Sequence, residues 1–201
     1  ALGRVLATVE GRGWGDDLDV VFTTDHGEFQ GDFGLLFKGP YHVDALMRLP
    51  LVWRPAPSST VPAAVVTTPV GLLDLAPTFC RIAGIEVPGW MDGLPLPLSD
   101  DVGGVHGRRG VLTEWDSVHP NGTEVHLQSV FLDDLLYTRY EAGTCHDGTE
   151  GELYDLAEDP LQRVNLWSDP ERRSIRDDLG VVLEDALPER SQPVLMAESP
   201  V

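Results

Sequence analysis

The chain has 201 residues, with 14 Lys or Arg against 33 Asp or Glu, so its formal net charge is −19 at pH 7. A surface this acidic repels the phosphates of nucleic acids and of anionic lipids, which argues against both as partners. With 42% hydrophobic and 23% charged residues, the composition is that of a globular protein. No apolar run reaches the roughly 18 residues that predict a membrane span. No charged-then-apolar leader is visible either, which weakly favours a cytoplasmic location, although a leader would precede the first residue here.

A helix and a strand are predicted first. Apolar residues recur at helical spacing over residues 2–9, and the Gly-rich stretch 11–13 ends that pattern. The run Val20–Thr24 is β-prone throughout, which predicts a strand buried on both faces, as in the interior of a parallel sheet. Residues 25–44 are rich in glycine and aromatic residues and predict a long loop, of the kind that usually carries function. Residues 49–53 predict a second strand.

A further helix is predicted from Asp74, which can cap its first turn, to Gly84. Four apolar side chains are predicted to form its inward face: Leu75, Phe79, Ile82 and Ala83. The Pro-, Gly- and Asp-rich stretch 88–110 then predicts a linker. The sequence is therefore divided into a first part, residues 1–98, a second part, residues 99–187, and a loose tail, residues 188–201.

The second part is predicted to be a small antiparallel sheet with one packed helix. The predicted strands are 111–115, 125–132, 135–140 and 153–154, and a turn at Asp133-Asp134 joins two of them. Asp169-Pro170 is a helix start, with Asp at the N-cap and Pro in the first turn. The inward stripe of this final helix is predicted to be Ile175, Leu179, Val182, Leu183 and Ala186.

Chemically informative residues follow the first predicted strand. Asp25 offers an oxygen ligand and His26 a nitrogen ligand, while Gly27 permits a sharp turn that lets both face one cation. Lys38 lies where an ammonium can fold back onto an anionic substrate oxygen, and His42 can donate a proton near neutral pH. From spacing alone, a metal site at Asp25 and His26 and a plain strand-end cap are equally good interpretations.

Four groups of residues occur in a recognisable order along nearly the whole chain. They are Thr23–Glu28 with Gly31–Gly34 and Lys38–His42; Arg48–Trp53; Asp74–Thr78 with Ala83–Ile85 and Asp92-Gly93; and Glu152–Leu156 with Asp159-Pro160 and Asn165-Leu166. In content and order they resemble the sulfatase family of the alkaline-phosphatase superfamily. The resemblance implies an α/β fold: part of an alkaline-phosphatase-like sheet with flanking helices, followed by the small C-terminal antiparallel sheet with its packed helix.

The same resemblance implies site residues and a cofactor. Asp25 and His26 match two ligands of an active-site divalent cation, most often calcium in this family. Lys38 matches the lysine that contacts the sulfate group. His42 is expected to contact the substrate or the leaving group. The substrate implied is a small-molecule sulfate ester.

The sequence also departs from the family pattern. Sulfatases attack with a formylglycine made from the first residue of a Cys/Ser-x-Pro-x-Arg motif, and neither Cys80 nor Cys145 begins such a motif. The paired acidic ligands that the family places near its N-terminus are also absent. The chain is therefore expected to be a C-terminal portion whose nucleophile half, with the formylglycine, lies elsewhere.

Three functions remain open at this stage. The first is a sulfatase fragment, and the second is a phosphonate or phosphate ester hydrolase of the same superfamily. The third is a non-catalytic remnant, or one half of a split enzyme. If upstream strands are missing, a free sheet edge and an apolar face are exposed, so the chain is expected either to self-associate or to bind the missing N-terminal half.

Overall fold

The computed structural model describes residues 1–98 and 110–187, so the predicted linker lies partly, and the predicted tail 188–201 wholly, outside the described residues. Within the described residues, the first part of the chain contains three α-helices and two short strands, and the second part contains four strands and one α-helix. In chain order they are α1 Leu2–Gly11, β1 Val20–Phe22, α2 Asp44–Met47, β2 Val52–Arg54, α3 Leu75–Ile82, β3 Val111–Val118, β4 Glu124–Leu132, β5 Leu135–Tyr140, β6 Gly151–Asp155 and α4 Arg173–Ala186.

The two strands of the first part form a small sheet that differs from the prediction. β1 pairs antiparallel with β2, with Phe22 opposite Val52. The expected burial on both faces is wrong for this chain, since Phe22 is 43% exposed and Val52 is 60% exposed. Residues directly opposite each other in a sheet share a face, so these two side chains form an exposed apolar pair.

The helix α3 forms where it was predicted but buries a different face. Pro77 and Thr78 are its buried residues, whereas Phe79 and Ile82, three positions apart on one face, are exposed. Asp74 does not cap α3 through its side chain; it ends a preceding 3-10 turn, Leu72–Asp74, and its carboxylate accepts hydrogen bonds from two backbone amides. The inward apolar face expected for this helix is therefore wrong, because polar contacts hold the opposite face inside.

The second part is an antiparallel meander, as predicted, with strand order β3-β4-β5-β6. The turn between β4 and β5 is Asp133-Asp134, and both residues have positive φ values of 51° and 61°. Two consecutive residues of this kind form the type I′ turn, whose twist matches that of the flanking strands. The short-range turn signal in the sequence therefore fixes the register of the central hairpin.

The helix α4 covers one face of this sheet and completes the main core. The Asp169 Oδ1 accepts a hydrogen bond of 2.9 Å from the Glu171 amide, so Asp169 caps the 3-10 turn Pro170–Arg172 that leads directly into α4, rather than α4 itself. The core combines residues of the sheet with the predicted stripe of the helix: Val130, Tyr137, Leu153, Leu179, Val182 and Leu183. Ala186 is exposed, so the stripe ends one turn earlier than predicted. None of the helices in the described ranges combines the length and apolar character needed to cross a bilayer.

Candidate functional site

The long loop that follows β1 closes on itself. The Phe29 amide donates a hydrogen bond of 2.8 Å to the Phe37 carbonyl oxygen. The Phe29 ring is buried and meets the ring of Tyr41 edge to face, with the centroids 5.5 Å apart. Because the two ends of this segment are held together, Lys38 returns to His26, from which it is separated by 12 positions in the sequence.

Asp25, His26 and Lys38 lie together just beyond the end of β1. The Lys38 Nζ is 2.6 Å from the His26 Nε2, and the Asp25 Oδ2 is 3.6 Å from the same nitrogen. The Asp25 side chain is 81% exposed and the His26 side chain 32% exposed, so the group opens to solvent. The structure thus brings three of the four predicted site residues to one point.

The hydrogen bonds of His26 define which ring nitrogen is available. Its Nδ1 is 2.7 Å from the Gly27 carbonyl oxygen, and a carbonyl can only accept, so the proton is assigned to Nδ1. The Nε2 then carries the lone pair, and the Lys38 ammonium donates to it. A neutral imidazole with one nitrogen fixed as a donor is the form that binds a metal ion through the other nitrogen.

The Asp25 carboxylate is held in its ionised form. Hydrogen bonding by its own backbone amide, and then the electrostatic attraction of the adjacent His26 ring, keep the pKa of Asp25 below its usual value. Its Oδ1 accepts from the His26 amide at 3.0 Å and from the Thr24 hydroxyl at 3.2 Å. These bonds orient the carboxylate so that Oδ2 is the oxygen on the side of the His26 Nε2.

The donors present fit two positions of a divalent cation site. One carboxylate oxygen and one imidazole nitrogen are suitable ligands, and the Lys38 ammonium beside them shows that the point accommodates positive charge. No three His, Cys, Asp or Glu side chains within residues 1–98 and 110–187 come together as a metal-binding group. A full coordination shell therefore needs further oxygen ligands from outside this part of the chain.

Close packing at Gly27 holds the turn that carries these ligands. The Gly27 amide donates a hydrogen bond of 2.8 Å to the Leu46 carbonyl oxygen in α2. A Cβ atom at Gly27 would lie 2.0 Å from the Ala45 carbonyl oxygen, so any side chain here would push the turn away from α2. The orientation of Asp25 and His26 therefore depends on where α2 lies.

His42 has a different environment from the other three residues. Only 3% of its surface is exposed, and its Nδ1 is 2.5 Å from the Ser129 Oγ on β4. Burial lowers the pKa of His42 to about 4, so the ring is neutral at pH 7. The expected contact with a substrate or leaving group is not supported, because the ring is enclosed between the two parts of the chain and has no proton to donate from a charged form.

Two signals around the site were missed in the sequence. Lys38 is the only lysine of the 201 residues, the other 13 basic residues being arginines. Thr24 also contributes, since its hydroxyl contacts both the Asp25 carboxylate and the His26 carbonyl oxygen. Both were visible as residue types in the sequence, but their relevance depends on the closed loop.

Comparison with protein families finds a match to the model described as "N-sulphoglucosamine sulphohydrolase, C-terminal" over residues 31–187. Lys38 lies inside the matched region, and Asp25 and His26 lie just before it. An uncharacterized sulfatase of Escherichia coli K12 is 30% identical over 192 residues, which cover 92% of this chain and 35% of that protein. The chain spans only 31% to 35% of the length of the first four curated relatives.

Solved structures give the same result for the fold. A structure described as a 2-O GAG sulfatase superposes with a TM-score of 0.76 at 26% identity, covering 91% of this chain and 39% of that one. A phosphonate monoester hydrolase of Agrobacterium radiobacter superposes with a TM-score of 0.74 at 24% identity, covering 92% of this chain and 39% of that one. The predicted fold class, a partial alkaline-phosphatase-like α/β fold with an additional small antiparallel sheet, is thereby confirmed.

Proposed function

The chain belongs to the sulfatase family, and we propose that it forms the C-terminal portion of an enzyme that hydrolyses sulfuric esters. One observation carries this proposal: the Asp25 carboxylate, the His26 Nε2 and the Lys38 ammonium meet at one solvent-open point. A carboxylate and an imidazole suit a cation, and an ammonium suits an anionic ester. Together they form a site for an anion bridged to a metal ion, which is the requirement for stabilising charge on sulfuryl oxygens.

In this proposal Asp25 and His26 bind a divalent cation, and we infer calcium. When bound, the cation withdraws charge from the sulfuryl oxygens of the substrate. The Lys38 ammonium and a cation compete for the lone pair of the His26 Nε2, since both are positively charged. Metal binding is therefore expected to displace the Lys38 Nζ from His26 and to free it for a substrate oxygen.

The nucleophile and the remaining metal ligands belong, in this proposal, to a polypeptide portion outside the 201 residues. The family resemblance implies formylglycine as that nucleophile. The residues of this chain would orient the sulfate group and offset its charge, while the other portion would supply attack on sulfur. The substrate class is accordingly a small-molecule sulfate ester, and its alcohol part would be recognised largely outside the three residues described here.

The exposed apolar surface of the first part suits a contact with that other portion. Phe22 and Val52 form an uncovered pair on the two-stranded sheet, and Phe79 and Ile82 form an uncovered face of α3. Strands with free edges and an amphipathic helix with its apolar face in water favour association with another surface. We infer that the N-terminal portion of the sulfatase α/β fold covers this surface.

The 201-residue chain studied alone is therefore expected to self-associate, because the same surface then contacts a second copy. Replacing Phe79 by Glu should shift the sedimentation profile towards monomer, since a buried charge in such a contact is costly. Leu161→Glu is the matched control, because Leu161 is 61% exposed but lies in the second part of the chain. A wild-type chain that sediments as a monomer, or equal effects of the two variants, would contradict the proposed contact surface.

The proposed activity is tested with the complete polypeptide that carries this chain. We expect turnover of p-nitrophenyl sulfate to exceed that of a p-nitrophenyl phosphonate ester, to stop in chelator and to return with calcium. Faster turnover of the phosphonate ester would instead favour the second hydrolase class, which shares the fold. Absence of both activities would favour the non-catalytic remnant.

The metal half-site is tested separately in the chain alone. Reductive ¹³C-methylation keeps the charge of the ammonium and labels Lys38 and the N-terminal amine only, because no other lysine is present. Calcium should shift the Lys38 methyl signal as the ammonium leaves His26, and Asp25→Asn should weaken that response. A signal that does not respond to calcium at any concentration would argue against the two proposed ligands.

A further inference from the structure

Two long-range polar contacts join the second part of the chain to the segment beside the candidate site. The Asp44 amide, at the start of α2, donates a hydrogen bond of 2.8 Å to the Gln162 Oε1. Two residues earlier, the His42 Nδ1 is 2.5 Å from the Ser129 Oγ, which in turn is 2.8 Å from the Thr138 Oγ1. The first contact joins residues that are 118 positions apart and the second joins residues that are 87 positions apart, so neither is a local feature of the loop.

The helix α2 cannot hold its own position. It has four residues, Asp44–Met47, and an isolated helix needs about 12 or more to be stable in water. None of its first-turn amides is capped by the residue before it, Val43. The Gln162 side chain takes over that role from the second part of the chain, because its Oε1 satisfies the first free amide of the helix.

Gln162 is held in an unfavourable conformation to reach this amide. It is 4% exposed, and its φ of 51° lies in the left-handed region that L residues with side chains avoid. The Asp159 carboxylate fixes the turn by accepting from the Arg163 amide and from the Val164 amide at 2.9 Å. The Gln162 Nε2 is buried and has no partner among the described residues, which is a further local cost.

Costs of this kind point to positioning rather than to stability. The geometry points to Gln162 as a positioning residue that holds the Asp25–His26 turn in place through α2. Each step is a direct contact: the Gln162 Oε1 binds the Asp44 amide, and the Leu46 carbonyl oxygen binds the Gly27 amide next to His26. At Gly27 the turn packs so closely against α2 that a Cβ atom would lie 2.0 Å from the Ala45 carbonyl oxygen. Any displacement of α2 therefore moves the turn as well.

The hydrogen bond between His42 and Ser129 is a second tie, that is, a second contact that holds the segment around α2 to the antiparallel sheet. Placing the proton of the neutral ring on Nδ1 leaves no buried N–H of the ring unpaired, so Nδ1 donates to the Ser129 Oγ. Between the two ties, Val43 packs in a small core with Phe29 and Leu46. The antiparallel sheet thus acts as the support of the candidate metal half-site rather than as a separate module.

The test uses the 201-residue chain and amide hydrogen exchange at Gly27, measured relative to the Val130 amide in the centre of β4. Gln162→Met removes the acceptor at nearly constant volume and should speed relative exchange at Gly27 about five- to tenfold, the effect of one lost hydrogen bond. Gln162→Glu keeps an acceptor oxygen and should restore exchange to within about twofold of wild type. Ser129→Ala should also speed exchange at Gly27 relative to Val130. If Gln162→Met does not fold, Ser129→Ala is the variant that tests the proposal.

A structural role alone would give a different pattern. Leu183→Ala, in the core between α4 and the sheet, lowers the stability of the second part without touching α2, so it should not raise exchange at Gly27 relative to Val130. If Gln162→Met behaves like Leu183→Ala, or if Gln162→Glu does not rescue, the positioning role is overturned. The functional meaning of this positioning role rests on the proposed metal site, but the role itself does not. Faster exchange at Gly27 together with an unchanged calcium response of Lys38 would support the positioning by Gln162 and would count against Asp25 and His26 as metal ligands.

Discussion

Replacing Lys38 by Met in the complete polypeptide is expected to lower kcat for the proposed hydrolysis of a sulfate ester by about 10²- to 10³-fold, the usual loss when one charge-stabilising donor is removed from an active site. The ammonium is 2.6 Å from the His26 Nε2, so it already lies at the point where the proposed cation and substrate meet. In the proposed reaction, negative charge develops in the ester as its S–O bond breaks. An ammonium placed there therefore contributes more to the transition state than to substrate binding.

The kinetic constants separate this role from simple binding. A loss confined to KM would assign Lys38 to ground-state binding of the ester, whereas a loss in kcat supports charge stabilisation. Arg12→Met is the matched control, because it also removes one positive charge but does so at the exposed end of α1. Equal activity of Lys38→Met and Arg12→Met would contradict a role of Lys38 in the active site.

Replacing Asp74 by Ala is expected to destabilise the first part of the chain by about 3–5 kcal/mol. Only 1% of Asp74 is exposed, and its carboxylate accepts hydrogen bonds of 2.9 Å from both the Gly71 amide and the Leu94 amide. Each bond to a charged acceptor is worth about 1.5–3 kcal/mol, and its loss leaves a backbone donor unpaired. The substitution therefore releases the segment around Leu94 from the start of α3.

Asp74→Asn should give an intermediate loss, because the amide keeps one acceptor oxygen at the same size. Asp92→Ala is the control: Asp92 is also acidic and close in sequence, but it is exposed, so its effect should stay within about 0.5 kcal/mol. Urea denaturation gives the change in the free energy of unfolding, and exchange of the Leu94 amide gives the local effect. A loss below about 1 kcal/mol for Asp74→Ala would contradict the bonding described here.

The polar contacts of Asp74 also explain why the face of α3 could not be predicted from periodicity. The apolar spacing of Phe79 and Ile82 predicts an inward stripe, since amphipathic helices usually bury that side. In this chain the Thr78 hydroxyl accepts from the Leu96 amide at 2.8 Å, and together with Asp74 it fixes the opposite face inside. The apolar stripe is exposed, so it is available for a contact that residues 1–98 and 110–187 do not supply.

The site was predictable in part. The order of residue types around Asp25, His26 and Lys38 identified these three as a group, through the family resemblance. His42 belongs to the same sequence motif, but its ring faces Ser129, 87 positions away. A motif shows which residues occur together in sequence, whereas the direction of each side chain depends on what packs against the loop.

The sequence by itself determined the features that depend on neighbouring residues: the hairpin at Asp133-Asp134, the cap at Asp169 and the apolar stripe of α4. In each of these the favoured backbone angles or hydrogen bonds lie within a few positions, so local chemistry is sufficient. Only the tertiary structure decided which face of α3 is buried, how Lys38 returns to His26 and which side chain caps α2. These depend on contacts between distant residues, such as Gln162 with Asp44, whose geometry is set by the packing of the sheet and not by sequence spacing.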